Sequence, residues 1–235
     1  MIKKIFIHDK IKNYMDYVGS SGLKITLIAY SKLNYEYHGN TTEVDRLIAQ
    51  CGSISHSKNF KELDDAKVEH LINLLKKLGH ESVFEHASFT FLIEGISRVC
   101  SHQLVRHRIA SFTQQSQRYV PLDPQFIIPE SIKNSEFYND FVNILNQSRE
   151  LYKKMIQNKI NKEDARFILP QAVETKIIVT MNGRELRHFI SLRAEKDAQW
   201  EIRNLAREML KQAYKVAPIL FEDLYKNYIE NEGKE

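Results

Sequence analysis

Three short apolar runs, rich in β-branched and aromatic residues, lie far apart in the chain, and the helical stretches between them do not alternate with them one for one. Lys24–Tyr30 (KITLIAY), Ser88–Glu94 (SFTFLIE) and Thr175–Met181 (TKIIVTM) have the length and composition of strands. In the second, Phe89, Phe91 and Ile93 alternate with Thr90 and Leu92, which turns one face inward. Gly95 is expected to end it. Two helices, Thr42–Gln50 and Asp64–Leu78, are predicted between the first two strands. The longer one carries Val68, Leu71, Ile72, Leu75 and Leu78 on one face, with Gly79 as its stop. Helical spacing recurs over Ile96–Arg108, over Glu136–Lys159 and, behind an Asn161 cap, over Lys162–Leu169. Past the third strand, Asn182 with Glu185 three residues on resembles a capping box. Asp197 is expected to cap a helix reaching Lys215, and Pro218 opens a last one. Strict alternation of strand and helix would favour a doubly wound parallel sheet; its absence favours α+β. The expectation is one domain over residues 1–235, a mixed or antiparallel sheet flanked by helices, with residues 1–22 an extension of unassigned role.

A chain of 235 residues can bury a sizeable core without disulfides or structural metals. Its two cysteines, Cys51 and Cys100, exclude a disulfide framework and an all-thiolate zinc or iron–sulfur site within one chain, and they fit a reducing compartment. No apolar run approaches the ~20 residues of a membrane helix, and Ile5-Phe6-Ile7 is too short for a signal-peptide core. A cytoplasmic protein is expected, with no membrane partner. No two of the eight glycines are spaced as Gly-x-Gly, so neither a dinucleotide fingerprint nor a P-loop is available. Any nucleotide has to be held by side chains and helix ends. His80 and His86 superficially suggest zinc, but six residues place them about 240° apart on a helix. The zinc motif needs its second histidine at the fourth position, so no metal is expected.

Net charge is +4, enough to suit an anionic partner but too small to announce a nucleic-acid binder. Its distribution says more. Gly95–Val120 holds four of the 12 arginines (Arg98, Arg106, Arg108 and Arg118), with no lysine and no acid. On a helix Arg98, His102 and Arg106 would stack at four-residue steps, with Gln103 and His107 beside them. Beyond it, Gln114, Ser116 and Arg118 would share one side of an extended segment. Two donor-rich faces within a dozen residues make a plausible cradle for a phosphate and a planar base. On charge pattern alone, a solvated basic helix followed by a polar loop accounts for the segment equally well.

The string Arg106-His107-Arg108 followed, after seven residues, by Ser116-Gln117-Arg118-Tyr119 resembles the Arg-His-Arg-x7-Ser signature of flavin-dependent thymidylate synthases. His80–His86 is similar to the family's HxSxxEH segment, and Gly95–His102 to the lead-in to its signature. Ala165–Pro170 is similar to its ARxxLP element, and Asn182–Ile202 to its C-terminal flavin and substrate segment. The resemblance covers roughly residues 24–225. It implies a homotetramer with active sites shared between subunits. By matching position, Ser82, Arg106, His107, Arg108, Gln114, Asn182, Arg184 and His188 would hold FAD. Gln103, Arg106, Ser116, Gln117, Arg118 and Arg166 would hold dUMP, with Arg193 activating the uracil ring. Gln114 stands where some members have Glu, and His188 where others have Asn. The resemblance also implies 5,10-methylenetetrahydrofolate as carbon donor and NADPH as the reductant of FAD.

Methylating dUMP at C5 requires making that carbon nucleophilic. Conventional thymidylate synthases add a cysteine thiolate at C6, but neither Cys51 nor Cys100 lies in a segment equipped for it. An arginine near N3 and the carbonyl oxygens achieves the same electrostatically, and the planar, permanently charged guanidinium of Arg193 suits that role. Ser116 is expected to hold phosphate, since no base is specified beside it. Trp200 is expected in the core. Two non-enzymatic readings stand beside this one: a single-stranded nucleic-acid binder using arginines with Phe112 and Tyr119, and a non-catalytic nucleotide-binding module. A steep salt dependence of oligonucleotide binding would single out the former.

Overall fold

The alternation in Ser88–Glu94 buries one face because that segment runs through the middle of a sheet. The computed structural model describes residues 17–18, 22–57, 62–119 and 124–231. It has five strands: β1 (Tyr17–Val18), β2 (Lys24–Tyr30), β3 (Ser88–Ser97), β4 (Ala110–Gln114) and β5 (Glu174–Asn182). Their order is β1-β2-β3-β5-β4, and every pairing is antiparallel. The α+β class holds, with the sheet antiparallel rather than mixed. Most of the expected extension over residues 1–22, and the extended run expected at Val120 and Pro121, lie outside the described residues.

Register explains which side chains meet. Leu27, Phe91, Val179 and Phe112 line up across four strands, and Ile25, Ile93, Ile177 and Gln114 form the next row. A one-residue slip would turn the whole set to solvent. The helices α1 (Glu43–Ser53), α2 (Asp65–Leu78), α7 (Gly183–Arg193), α8 (Trp200–Val216) and α9 (Pro218–Tyr225) join the sheet in one hydrophobic core. Phe221 of α9 meets Phe89 edge-on with ring centroids 5.5 Å apart, a geometry that adds about 1 kcal/mol to simple burial. Among the described residues four shorter or more peripheral α-helices accompany these: α3 (Arg98–Leu104), α4 (Glu130–Lys133), α5 (Tyr138–Gln157) and α6 (Lys162–Ala165).

Several expected boundaries move, each for a local reason. Gly95 does not end β3. It sits in a bulge, where the pairing steps from Ile93 opposite Ile177 to Ile96 opposite Thr175. Its φ is +74°, and a Cβ there would lie 2.5 Å from the Gly22 carbonyl oxygen, so only glycine fits. The bulge carries the strand on to Ser97, and α3 is correspondingly shorter than Ile96–Arg108. Ser97 caps α3 by accepting from the Cys100 N–H at 3.0 Å, and the buried Glu201 carboxylate accepts from both Ser97 N–H and Oγ–H at 2.6 Å. Asn161 precedes α6 without a side-chain cap, and Gln199 rather than Asp197 caps α8, its Oε1 accepting from Glu201 and Ile202 N–H. Trp200 is half-buried, at the edge of two surface hollows rather than in the core.

Asp45 of α1 is buried and caps α9, accepting the Ile219 and Leu220 N–H groups at 3.1 Å each. Burial pushes its carboxyl up from 3.8 to about 6, against the opposing pull of these bonds. The folded state therefore holds this proton more tightly than the unfolded chain, and stability falls as pH rises from about 4 to about 6. Relative to Asp45→Asn, wild type should gain about 2 kcal/mol between pH 7 and pH 4 in urea unfolding. A stability difference that does not vary with pH would show that Asp45 is ionised at little cost.

Candidate active site

Arg106 does not extend α3. The helix stops at Leu104, Val105 and Arg106 form a turn, and residues 107 and 108 lead into β4. Only Arg98 and His102 keep the expected helical stacking. The turn instead lays His107 across the face of α7. Glu185, Phe189 and Arg193 follow one another at four-residue steps along that face. His107 Nδ1 is 3.1 Å from Glu185 Oε1, and Arg193 Nε–H donates to His107 Nε2 at 3.2 Å. The Phe189 ring meets the imidazole edge-on at 4.9 Å. His107 and Glu185 are both buried, whereas Arg193 is half-exposed. Burial lowers the His107 pKa from its ordinary value, and Glu185 opposes that shift.

The start of α7 is fixed as the sequence anticipates, but only in part. Asn182 Oδ1 accepts the Glu185 N–H at 2.8 Å, which is half of a capping box. The Glu185 carboxylate supplies no second half, because it is committed to His107. Gly183 packs against the 3-10 turn Glu81–His86, where an added Cβ would sit 2.7 Å from the Phe84 carbonyl oxygen. This close approach lets Arg184 reach across to Glu85 Oε1 at 2.7 Å, with Glu81 Oε2 at 3.7 Å.

These elements enclose a cavity of about 540 Å³. Its walls are Arg106, His107, Arg108 and Ile109 from the turn, and Asn182, Arg184, Glu185, His188, Leu192 and Arg193 from α7 and its cap, with Glu81 and Glu85 at one side. A second hollow of about 570 Å³ shares Arg106, Arg108 and Arg193 with it and adds His102, Gln103 and Val105. Six of the eight residues expected around a flavin thus converge on one cavity. Ser82 is exposed on the adjoining 3-10 turn and is not in the wall. Gln114 points into the covered face of the sheet, as its pairing with Ile177 requires. There its Nε2 donates to Ser101 Oγ at 2.9 Å and Thr175 Oγ1 at 3.2 Å.

Ser116, Gln117, Arg118 and Arg166 gather elsewhere, beyond the far end of β4. The extended segment expected to align Gln114, Ser116 and Arg118 ends early, and Gln117–Tyr119 is a turn in which Ser116 Oγ accepts the Arg118 N–H at 3.1 Å. Arg118 pairs with Glu163, and Arg166 Nε–H donates to the Glu163 carbonyl oxygen at 3.2 Å. Burial and the neighbouring Arg166 hold the Arg98 guanidinium below its ordinary value, so Arg98 adds to this second cationic cluster. Neither hollow is lined by Ser116, Gln117, Arg118 or Arg166. The five-residue β4, about 16 Å at ~3.3 Å per residue, stands between the two clusters.

Sequence reasoning missed Glu81, Glu85 and Glu163, the acids that neutralise Arg184 and Arg118. It assigned Glu185 to capping alone. Acids within reach of a lysine-free arginine segment were the available signal, but only the tertiary fold brings them there. Phe112 packs inward against the core, so it offers no stacking platform beside Tyr119 for single-stranded nucleic acid. Cys100 is buried, and burial with Glu201 nearby pushes its thiol up; burial does the same to Cys51. Neither environment favours a thiolate.

Residues 38–219 match the family model described as thymidylate synthase complementing protein. A protein of Pyrococcus furiosus named flavin-dependent thymidylate synthase is 48% identical over 207 residues, covering 84% of this chain and 83% of its own. The namesake from Clostridium tetani is 42% identical over 224 residues, 86% of each chain. That from Geobacter sulfurreducens is 50% identical over 168 residues, 69% of this chain and 72% of its own. With the Arg-His-Arg turn, α7 and the Ser116–Arg118 turn all inside the matched region, this chain belongs to the flavin-dependent thymidylate synthase family.

Proposed function

We propose that the chain converts dUMP to dTMP by reductive methylation, with FAD held in the Arg106–Arg193 cavity. The observation that carries this reading is the convergence of Arg106, Arg108, Arg184, Asn182 and His188 on one cavity whose inner wall is the His107–Arg193 pair. That donor set fits FAD. Three guanidinium groups suit a pyrophosphate, and Glu81 and Glu85 supply acceptors for hydroxyl or amino groups at the same wall. Bound FAD supplies the redox chemistry that no side chain provides. NADPH would furnish the reducing equivalents, and 5,10-methylenetetrahydrofolate the carbon.

Arg193 is assigned to the uracil ring. A guanidinium donating in one plane toward N3 and a carbonyl oxygen stabilises negative charge there and raises the nucleophilicity of C5. Gln103 and Arg106 line the hollow that Arg193 also borders, and they are assigned to dUMP from that side. Ser116, Gln117, Arg118 and Arg166 are assigned to its phosphate and sugar, contributed by a second copy of the chain. Two observations support shared sites in a homotetramer. The two half-sites stand at opposite ends of β4, and Phe137, Ile144, Leu151 and Phe167 leave large apolar surfaces exposed, Phe167 at 84%. Among the described residues no helix is long and apolar enough to cross a membrane. The two free thiols fit the cytoplasm.

The purified protein should be yellow, or become so on adding FAD, and should quench the fluorescence of added flavin. A colourless protein that leaves flavin fluorescence unchanged would remove this reading.

A further inference from the structure

Arginine has donors and no acceptor. The 3.2 Å contact between Arg193 Nε and His107 Nε2 therefore requires a bare Nε2. A neutral imidazole with Nε2 bare carries its hydrogen on Nδ1, and that atom faces Glu185 Oε1 at 3.1 Å, an acceptor. A doubly protonated ring would aim N–H at N–H. The chain of contacts thus runs in one direction: Asn182 holds the Glu185 backbone, Glu185 accepts from Nδ1–H, and Nε2 accepts from Arg193. Phe189 closes one edge of the ring at 4.9 Å, so the imidazole has little room to flip. Among the described residues the Nη groups of Arg193 make no hydrogen bond, and Arg193 lines both hollows. Only its Nε is tethered.

We propose that Glu185 is a positioning residue for Arg193: by fixing which nitrogen of His107 is bare, it sets the plane of the guanidinium and leaves both Nη groups turned to the site. This deepens the proposed function and rests on Arg193 as the group that activates the uracil. His107 is then a spacer of defined polarity as well as a wall of the flavin cavity. Replacing Glu185 with an apolar side chain frees the ring to carry its hydrogen on Nε2. That N–H would face the Arg193 N–H and turn the guanidinium away.

The test combines two readouts on the full chain with FAD bound. Solid-state ¹⁵N NMR of histidine-labelled protein at neutral pH, with His107 assigned by its loss in His107→Gln, should show Nδ1 protonated and Nε2 bare in wild type. Glu185→Leu should lose that signature. It should also lower kcat for dTMP about 10-fold or more, the size of effect that follows removal of the carboxylate behind a metal-bound histidine. Flavin content and the KM for dUMP should stay within about three-fold, a split that simple loosening of the fold would not give. Glu185→Gln keeps an acceptor of the same length and should restore both the tautomer and most of kcat. Protonated Nε2 in wild type overturns the proposal with no variant needed, even if Glu185→Leu fails to fold. So does an unchanged kcat in Glu185→Leu, or a loss confined to flavin binding. Wild type with the expected tautomer but no dTMP formation would instead remove the reading of the activity, and the positioning role with it.

Discussion

Arg193→Lys should lower dTMP turnover about 100-fold or more while leaving FAD bound. The charge survives this substitution, so the loss isolates geometry. Arg193 reaches His107 through Nε, and its two Nη groups lie farther out in the same plane. Lysine has one nitrogen on a flexible stem, and it can satisfy the imidazole or the pyrimidine but cannot hold a planar pair of donors. Flavin should remain because Arg106, Arg108, Arg184 and Asn182, which line the same cavity, are untouched. The measurement is single-turnover dTMP formation alongside the visible flavin spectrum. Turnover within a few-fold of wild type would reduce Arg193 to a cation at the C-terminal end of α7, stabilising the helix dipole and nothing more.

Two inactive variants should rescue one another. Arg193→Lys damages one half-site, and an Arg118→Ala, Arg166→Ala double variant damages the other. Each alone should lose about 100-fold or more in kcat/KM, since two charged contacts are at stake in the second case. If the proposed sharing between copies is right, dissociating the two proteins together and letting them reassemble at random should return about one-quarter of wild-type activity, because half of the copies of each half-site are intact and each site draws its halves from two copies. A site contained in one chain would return nothing. The assay needs only mixed and unmixed samples carried through the same reassembly.

What the sequence made legible follows the range of the interactions involved. The ends of α2 were readable because Asp64 and Gly79 act within one turn: Asp64 accepts from Lys67 N–H at 2.9 Å, and Gly79 adopts φ 69°. The need for glycine in the bulge at Gly95 was not, because the carbonyl oxygen that leaves no room for a Cβ belongs to Gly22, which no local pattern connects to it. The stop of α3 before Arg106 is similar. Helical spacing continues through Arg108, but β4 must begin at Ala110 to pair with Met181. The site was legible as a set of residue types and not as a place. Matching the family's strings named Arg106, Arg184 and Arg193 for different roles, and only the fold shows that they line one cavity to which Ser116 and Arg118 do not belong. Glu185 was visible for its local role and hidden in its tertiary one. Its N–H is capped three residues away, whereas its carboxylate answers a histidine 78 positions earlier.

The seven residues 109–115 work as a ruler. Five of them form β4, paired one-to-one with β5 from Ala110 opposite Met181 to Gln114 opposite Ile177, and Gln115 N–H extends the ladder to the Lys176 carbonyl oxygen at 2.9 Å. Each graduation is ~3.3 Å and reverses the side-chain direction. Adding or removing one residue would displace the Ser116 turn by a step and face it the opposite way, unless a bulge absorbed the change. The fixed gap between Arg108 and Ser116 is therefore a metric requirement, enforced by hydrogen bonds to a neighbouring strand. Where each end serves a different catalytic centre, the same strand is also a tie-rod. Strain arising at one centre would be transmitted along β4 to the next, and the spacing of centres in the assembly would be set inside each subunit.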